Sequence, residues 1–490
     1  METTLIKKEV KQPINKKFTI ENILCAFIIM CPILDIISFI FRNNFKTEVS
    51  ISTFIRPIIP LAVGLYIFIK GTKREKIFLG VTALIYIGYG IVHLIIAKSL
   101  LTGCSYGTIK NENQYIFNFT FLIIDLIIYF CTFTYKNKDD SNIKKALIIM
   151  TSIYIASIYL AILTKTSSYT YAETQTGYKG WIESGNSLSA ILLLSLFCII
   201  SQFKFPSKND TKKQVVWEIY TLVTITLTII YLGLLIGTRT GLFGIFIAIA
   251  SYIVLEVIFS KNKKLIAIGT IFFIIIILII GELGSNTIKR RKQMNEAKST
   301  IIDEATNEVG NMTGDMLRIK NKILDNTLEE GFMSEAQSKS VLDLYEYAKK
   351  HNIAGNDTRQ QQLIYNIYLV KNQKNILEIL FGNGYKTNFR EMVMENELAS
   401  MLLNFGIIGF ILYIGPFLAI LIFALIEAIR NIRKIDVEYV MLTLGLAMSL
   451  VLSFLSGYVF FATSSMIVIV ATSVMLVNKA KHIKDTKTNK

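Results

Sequence analysis

The chain has 490 residues, of which 52% are hydrophobic and 18% are charged, and its formal net charge at pH 7 is +16. Together with a mean hydropathy of +0.48, this composition excludes an ordinary soluble domain and indicates a polytopic membrane protein. The positive charge lies mainly in short segments between apolar runs, so it orients helices at a membrane and does not indicate a nucleic-acid partner.

Twelve apolar runs of about 20 residues, the length that a helix needs to cross a bilayer, recur along the sequence. They predict an all-α polytopic membrane protein with about 12 transmembrane helices. The runs lie near residues 20–41, 50–69, 77–97, 115–134, 145–164, 186–203, 215–236, 240–259, 264–282, 405–428, 436–456 and 459–478. The first run follows "INKKFTIENI" and has full spanning length, which predicts a retained helix rather than a cleaved signal peptide.

Lys and Arg residues are distributed unevenly among the connections. Alternate segments that include both termini carry 28 of them, whereas the short connections on the other side carry 7. The 28 lie in segments 1–17, 70–76, 136–145, 204–213, 261–264, 430–434 and 479–490. Because positively charged loops stay in the cytoplasm, we expect a multi-pass protein of the cell membrane with both termini cytoplasmic.

The connection between the ninth and tenth runs is much longer than the others. We therefore divide the chain into an N-terminal membrane part of about nine spans (1–282), a large loop (283–397), and a C-terminal part of about three spans with a cytoplasmic tail (398–490). The loop lacks proline and contains helix-like segments such as "SEAQSKSVLDLYEYAKKH", so we expect it to be mostly helical. The charge distribution places it outside the cell, and a structured loop of this length is usually functional.

Two ionisable residues lie within the first two runs. Asp35 lies in "CPILDIISFIF" and Arg56 in "STFIRPIIP", both near the outer ends of their predicted helices. Ionisable residues at such depth are normally paired and are candidates for a functional site. One interpretation is an ion pair that holds the two helices together, and the other is a substrate-binding pair.

A polar segment, "TGYKGWIESGNSLSAILLLSL", leads into the sixth run and contains Lys179, Trp181 and Asn186. Asn186 at the start of a helix is typical of an N-cap, and Trp181 is typical of the aromatic belt at a membrane interface. Because Lys179 and Trp181 lie outside the predicted span, they also suit the binding of a sugar ring.

A single arginine, Arg239, separates the seventh and eighth runs in "IGTRTGLFG". It is either a snorkelling side chain that anchors a tight turn at the interface or a guanidinium presented to phosphate oxygens. The small residues on either side clear space around the guanidinium, which favours the second interpretation.

The large loop contains "NDTRQQQLIYNIYLVKNQKNILEILFGNGYKTNF". Arg359 precedes an amphipathic helical pattern, and Gly382, Gly384 and Tyr385 follow it. Taken alone, Arg359 is interpreted as a solvated charge, and the basic run "KRRK" at 289–292 is interpreted as an interfacial anchor.

Two carboxylates lie where the loop returns to the membrane, in "MENELASMLLNFGIIGFILYI". Glu395 and Glu397 are candidates for a general base, because a carboxylate within hydrogen-bond reach can remove a proton from a hydroxyl. Gly406 and Gly409 in the following helix favour close packing against neighbouring helices.

In this order along the chain, the five segments resemble the O-antigen ligase and polymerase superfamily. "LLIGTRTGLFGIF" is similar to the arginine turn of that family, and the segment around Gly180, Trp181 and Asn186 is similar to its Gly-aromatic-Asn pattern. The loop segment with Arg359, Gly382, Gly384 and Tyr385 is similar to its Arg, helix and Gly-x-Gly pattern. The resemblance thus covers nearly the whole chain in ordered patches.

The segment around Glu395 resembles the closing signature of the family, where many members carry His-Asn and this chain has Glu395 and Asn396. The Gram-positive branch more often has Glu-x-Asp, which Glu395 and Glu397 approximate with a longer second carboxylate. Asp35 and Arg56 also match the opening helices of that branch. Which of Glu395 and Glu397 acts as the base is left open.

The resemblance implies a metal-independent membrane glycosyltransferase without a cofactor. Its donor would be an oligosaccharide on a polyprenyl diphosphate, and its acceptor another glycan at the outer face of the cytoplasmic membrane. Polymerisation of repeat units for a capsule, exopolysaccharide or teichuronic-type polymer is favoured over ligation, because the Gram-positive branch lacks a lipopolysaccharide core. The partners implied are the lipid bilayer, a flippase and a chain-length regulator.

The same resemblance implies roles for individual residues. Arg239 and Arg359 would stabilise the departing diphosphate, and Glu395 or Glu397 would take the proton of the acceptor hydroxyl. Arg56, Asp35, Lys179, Trp181, Asn186 and Tyr385 would bind substrate. The alternative is a flippase for polyprenyl-linked glycans or another polysaccharide transporter, although matching halves typical of many transporters are not evident in the sequence.

Overall fold

The computed structural model describes residues 19–45, 51–99, 108–136, 139–204, 206–207, 209–260, 263–293, 315–355, 357–372, 375–384, 389 and 392–485. Within them the chain forms eighteen α-helices and one β-hairpin. The first nine helices are α1 (Ile20–Phe45), α2 (Ile51–Lys70), α3 (Lys73–Ser99), α4 (Ile109–Tyr129), α5 (Ser141–Leu163), α6 (Gly185–Ile199), α7 (Lys212–Ile230), α8 (Arg239–Leu255) and α9 (Lys263–Leu283). The others are α10 (286–293), α11 (Asp315–Leu324), α12 (Glu335–His351), α13 (Thr358–Lys371), α14 (Ile376–Phe381), α15 (Glu397–Asn404), α16 (Gly406–Arg430), α17 (Val437–Leu455) and α18 (Thr463–Asp485).

Ten helices among the described residues are long and apolar enough to cross a membrane, and each lies at a predicted run. They confirm the prediction of an all-α polytopic membrane protein. Helices α2 and α9 occupy the second and ninth predicted runs but are not among the ten, so the count of twelve stays a prediction. The location of the large loop outside the cell and the orientation of the termini also stay predictions.

The centre of the bundle is built by two helices. Of the most apolar 18-residue stretch of each helix, 78% is buried in α6 and 83% in α18, but only 22% in α3. Helices α6 and α18 therefore lie inside the bundle, and α3 lies at its periphery. Close packing depends on small residues. At Gly445 of α17, for example, a Cβ would lie 3.2 Å from the Cβ of Phe197 in α6.

Side-chain caps begin several helices where polar sequence gives way to apolar sequence. Ser184, Thr238 and Asn396 each accept a hydrogen bond from a backbone N–H in the first turn of α6, α8 and α15. Such caps satisfy donors that have no partner within the helix. The starts of these three helices are therefore fixed at defined residues, and candidate residues lie at each of them.

The hairpin, the large loop and the starts of α6, α8 and α18 lie at one end of the bundle, here called the loop end. The hairpin pairs β1 (Ser168–Tyr171) with β2 (Thr176–Gly180) antiparallel. Glu183, which follows the hairpin, forms an ion pair with Arg42 at the end of α1. At the opposite end, Lys479 of α18 pairs with Asp436, 2.8 Å away, and with Glu438.

The large loop has a hydrophobic core of its own. Helices α11, α12 and α13 pack around buried apolar residues, and the loop is mostly helical where it is described. These residues are Met316, Ile319, Val341, Leu344, Tyr345, Ala348, Tyr365, Phe389 and Met392. The loop is therefore a folded unit that can hold side chains in fixed positions above the bundle.

Candidate active site

Arg239 is the first residue of α8, at the loop end of the bundle. Gly237 before it has φ +81°, a conformation that favours glycine, and a Cβ there would lie 3.2 Å from the Cα of Gly177 in the hairpin. The capping residue Thr238 follows, so the chain turns tightly between α7 and α8, as the sequence predicts. The Arg239 side chain is exposed and projects from a turn whose backbone is packed against the hairpin.

The start of α10 is hydrogen-bonded to this arginine turn. The Asn286 side chain donates to the carbonyl oxygen of Leu235 at 2.9 Å, and the Thr287 hydroxyl donates to that of Thr238 at 3.2 Å. One turn further along α10, the guanidinium carbon of Arg290 lies 3.3 Å from the ring centre of Tyr171. A cation stacked on an aromatic face is held in position by the ring quadrupole.

Three arginines from different elements converge here. Burial lowers the pKa of Arg290, and the nearby positive charges of Arg239 and Arg359 lower it further. Burial raises the pKa of Tyr171, and the charges of the same three arginines oppose that rise. We call Arg239, Arg290, Arg359, Tyr171 and Glu395 the arginine cluster. Arg290 belongs to the run that the sequence suggested as an interfacial anchor, and in the structure its guanidinium stacks on Tyr171 within this cluster.

Arg359 forms an ion pair with Glu395. Its Nε and one terminal nitrogen each lie 2.8 Å from Glu395 Oε2, and its other terminal nitrogen donates to the carbonyl oxygen of Leu455 at 2.8 Å. The two side chains are 42% and 36% exposed, so both remain accessible to a ligand. Arg359 is thus not a free solvated charge but the partner of a proposed base.

Glu397, two residues further on, has a different environment. Its carboxylate is fully buried and accepts hydrogen bonds from the backbone N–H groups of Val459, Phe460 and Phe461, each at 2.8 Å. Burial raises the pKa of Glu397 to about 7, although these N–H groups favour the ionised form. Glu397 therefore holds the segment between α17 and α18, here called the α17–α18 loop.

Tyr458 in that loop lies next to the arginine cluster. It has φ +62°, a left-handed conformation that is unfavourable for a residue with a side chain and that often marks functional sites. Burial raises the pKa of Tyr458, and the negative charge of Glu395 raises it further. Nothing local in the sequence distinguishes Tyr171 in the cluster or Tyr458 beside it, because both positions depend on contacts between distant segments.

The Gly-x-Gly segment of the large loop packs directly on the membrane helices. Gly384 has φ +65°, and a Cβ there would lie 2.6 Å from the carboxyl group of Glu112 in α4. Glu112 is in turn 2.6 Å from His93 Nε2, and His93 Nδ1 lies 2.6 Å from the carbonyl oxygen of Phe381. Gly382, Gly406 and Gly409 also lie where a Cβ would meet a neighbouring residue. These glycines thus permit close approach of the loop, and Tyr385 lies outside the described residues.

Lys179, Trp181 and Asn186 lie between the hairpin and α6. Lys179 Nζ donates to the carbonyl oxygen of Glu183 at 2.6 Å, and burial lowers the pKa of Lys179. Trp181 Nε1 donates to the Thr166 hydroxyl at 2.9 Å. The interpretation of Asn186 as the N-cap is wrong, because α6 begins one residue earlier and Ser184 is its cap. Sugar binding by the three residues stays a prediction.

Asp35 and Arg56 form the ion pair that the sequence suggested. Arg56 lies 2.6 Å from Asp35 Oδ1, donates to Ser464 at 2.6 Å, and also contacts Thr463. Asp35 accepts a further hydrogen bond from Tyr154. The pair therefore joins α1, α2, α5 and α18, and it also lines a cavity of about 290 Å³.

The described residues offer no group of three or more His, Cys, Asp or Glu side chains that is arranged to hold a metal ion. The arginine cluster offers a different chemistry. Its three guanidinium groups are positively charged and carry planar donors that match phosphate oxygens. It is suited to an anion such as a diphosphate, next to a carboxylate that can accept a proton.

No curated protein matches the chain significantly. A family model described as "O-antigen ligase like membrane protein" matches residues 16–482, nearly the whole chain. The family implies lipid-linked glycan substrates in the membrane and a membrane enzyme that transfers glycans. Membership of the Gram-positive branch stays a prediction. On this match, together with its bundle of apolar helices, the chain belongs to the O-antigen ligase-like membrane proteins.

Proposed function

We propose that this protein transfers a glycan from a polyprenyl diphosphate carrier to a hydroxyl group of an acceptor glycan, at the outer face of the cytoplasmic membrane. The observation that carries the proposal is the convergence of Arg239, Arg290 and Arg359 next to Glu395. Family membership supports the class of reaction. The arginine cluster supports the chemistry of the donor, since its arginines outnumber its single carboxylate.

In this reaction the acceptor oxygen forms a bond to the anomeric carbon of the donor glycan, and the bond from that carbon to the diphosphate oxygen breaks. The bonding electrons leave with the diphosphate, so negative charge grows on it in the transition state. Fixed positive charges that face this site stabilise the transition state more than the ground state. Arg290 is well suited to this role, because its stacking on Tyr171 fixes the guanidinium in place.

Glu395 is the stronger candidate for the base that takes the proton of the acceptor hydroxyl. Its side chain is 36% exposed, whereas the Glu397 carboxylate is buried and already accepts three backbone hydrogen bonds. A base has to lie within hydrogen-bond reach of the hydroxyl. We further propose that diphosphate competes for Arg359 when the donor binds, which frees Glu395 to accept the proton.

Polymerisation of lipid-linked repeat units for a capsule, exopolysaccharide or teichuronic-type polymer is the form of this reaction that we favour. Deletion of the gene followed by analysis of lipid-linked glycans tests it. We expect single repeat units to accumulate on the outer leaflet. Retention of the units on the inner leaflet would instead indicate a flippase, and unchanged long chains would refute the proposal.

The role of the arginine cluster is tested with a pair of adjacent substitutions. Arg290→Ala removes a cluster residue, whereas Arg291→Ala removes a charge from an exposed position of the same helix. With purified protein and lipid-linked repeat units, we expect Arg290→Ala to lower the rate of chain extension by about 10²–10³-fold, the range for loss of one transition-state donor. Arg291→Ala serves as the control and is expected to extend chains normally. Equal rates in both variants would contradict the assignment.

A further inference from the structure

The cavity of about 290 Å³ lies between α1, α2, α4 and the starts of α6 and α18, and none of the residues of the arginine cluster lines it. Its volume is close to the lower limit of about 300 Å³ for small-molecule sites. Arg42 and Glu183, with side chains 36% and 58% exposed, lie towards solvent, whereas Asp35 and Arg56 are only 19% and 11% exposed. The cavity therefore leads from the loop end into the bundle.

One carboxylate of the cavity wall has a buried oxygen without a partner. Asp125 Oδ1 lies on the α4 side and receives no hydrogen bond from any described residue. A buried carboxylate oxygen without a donor is costly, and an ionisable residue inside a membrane helix is a candidate for ligand binding. The sequence signal for it is the single charge in the apolar run "FLIIDLIIYF".

Two other polar atoms of the wall without a partner are hydrogen-bond donors, whereas Asp125 Oδ1 is an acceptor. The Nε atoms of Arg42 and Arg56 are buried hydrogen-bond donors without an acceptor among the described residues. The wall thus lacks both a donor for Asp125 and acceptors for two arginines. Hydroxyl groups can satisfy both needs, because each of them donates and accepts.

The charges of the wall argue against a phosphate ligand. Arg42 is paired with Glu183 and Arg56 with Asp35, so neither arginine of the described lining is left uncompensated for an anion. The arginine cluster, by contrast, has three arginines and a single carboxylate. Phe117 and Phe121, whose ring centres are 4.4 Å apart, add apolar faces to a wall that also contains the amide of Asn118. Carboxylate, amide and aromatic groups together suit a sugar ring, which has hydroxyl edges and C–H faces.

The cavity and the arginine cluster are joined by the α17–α18 loop. Phe461 lines the cavity, and its ring centre lies 6.0 Å from that of Tyr115. Tyr458, three residues before it, interacts electrostatically with Glu395 and with Tyr115. The same loop therefore contributes to the wall of the cavity and lies next to the arginine cluster.

We propose that the cavity binds one sugar residue of the glycan substrate through Asp125, Asn118 and the paired arginines, while the diphosphate of the donor binds at the arginine cluster. This inference rests on the proposed function, because it assigns a part of the same substrate to a second site. The sugar belongs either to the donor glycan or to the acceptor glycan, and both present the same hydroxyl chemistry.

The test compares Asn118→Ala and Asp125→Asn with the control Asn113→Ala, which changes an exposed residue of the same helix that does not line the cavity. Three probes are used with purified protein: undecaprenyl diphosphate, the lipid-linked repeat unit from the producing cells, and the free oligosaccharide released from that unit. We expect Asn118→Ala and Asp125→Asn each to weaken glycan binding by about 3- to 10-fold, from the loss of one hydrogen bond. Binding of undecaprenyl diphosphate is expected to stay at the wild-type level in all three variants.

The outcomes separate this proposal from the proposed function. Weaker binding of the free oligosaccharide identifies the acceptor as the source of the sugar, and an effect confined to the lipid-linked unit identifies the donor. If the wild-type protein binds the lipid-linked unit and the two cavity variants bind it as tightly as Asn113→Ala does, the sugar site alone is refuted. Wild-type protein that binds none of the three probes would refute the proposed function and the sugar site with it. Asn118 is only partly buried, so its substitution provides the test even if Asp125→Asn does not fold.

Discussion

Replacing Glu397 by Gln removes one hydrogen-bond acceptor from the buried site that holds the α17–α18 loop. Oε1 of Glu397 accepts from Val459 and Phe461, and Oε2 accepts from Phe460. If the amide oxygen of Gln takes the position of Oε1, its NH₂ group faces the N–H of Phe460. Two donors then point at each other in a site that is fully buried.

The expected cost follows from these contacts. Loss of one hydrogen bond costs about 0.5–1.5 kcal/mol, and the buried N–H left without an acceptor costs about 1–3 kcal/mol more. We therefore expect Glu397→Gln to destabilise the protein by about 1.5–4.5 kcal/mol. Gly457 of the α17–α18 loop packs so closely on the backbone of Glu395 that a Cβ at Gly457 would clash with it. Movement of the loop is therefore also expected to displace Glu395 and to reduce activity.

Glu395→Gln is the matched comparison, two residues away. Its carboxylate is partly exposed and pairs with Arg359 at the surface, where an ion pair contributes about 0–1 kcal/mol. Stability is therefore expected to change little. The rate of transfer is expected to fall by about 10²–10⁴-fold, since Gln cannot accept the proton. Binding of the donor is expected to survive, because the arginines are unchanged.

Both variants can be compared in detergent by following the thermal exposure of Cys25, Cys31, Cys131 and Cys198, which are free and buried, with a thiol-reactive dye. Turnover is measured in parallel with lipid-linked repeat units. A destabilised but slowly active Glu397→Gln and a stable but inactive Glu395→Gln are the expected pair. A stable, inactive Glu397→Gln with a fully active Glu395→Gln would move the base to Glu397 and refute this reasoning.

Three other predictions follow from the sequence and the structure. Arg239→Ala is expected to abolish chain extension while the amount of protein stays normal. Arg239→Lys is expected to retain only part of the activity, because Lys lacks the planar guanidinium fork. Full-length polymer from the Ala variant would show that Arg239 only anchors the turn. Gly384→Ala is expected to destabilise the protein by about 2–4 kcal/mol, because the new Cβ would be strained at a positive φ and would clash with Glu112. An unchanged midpoint of thermal unfolding would contradict this expectation. On a background without the native cysteines, Ser334→Cys is expected to react with an impermeant thiol reagent in intact cells and Arg433→Cys is not; the reverse pattern would invert the topology.

The glycines of the site show what can and cannot be predicted from the local sequence. The motif with Gly382 and Gly384 was recognisable from its resemblance to the family, but its physical role was not. The structure shows that Gly384 allows the loop to reach Glu112, which is distant in the chain and paired with His93. The sequence shows the glycine but not its neighbour, so the contact depends on the tertiary structure.

The apolar runs, the tight turn at Arg239 and the family to which the chain belongs follow from the sequence by itself. The physical reason is that crossing a bilayer is a one-dimensional requirement on length and hydropathy, which a continuous segment meets alone. Likewise, a turn between two runs needs only small residues and a cap at adjacent positions.

Only the tertiary structure decided which polar groups meet. It placed Arg290 on Tyr171, paired Arg359 with Glu395, and buried Glu397 beneath the α17–α18 loop. Glu395 and Glu397 have the same chemistry and are two residues apart, yet one faces a ligand site and the other a backbone. That difference depends on the α17–α18 loop, more than 60 residues further along the chain, whose N–H groups offset part of the cost of burying Glu397, whereas Glu395 stays partly exposed.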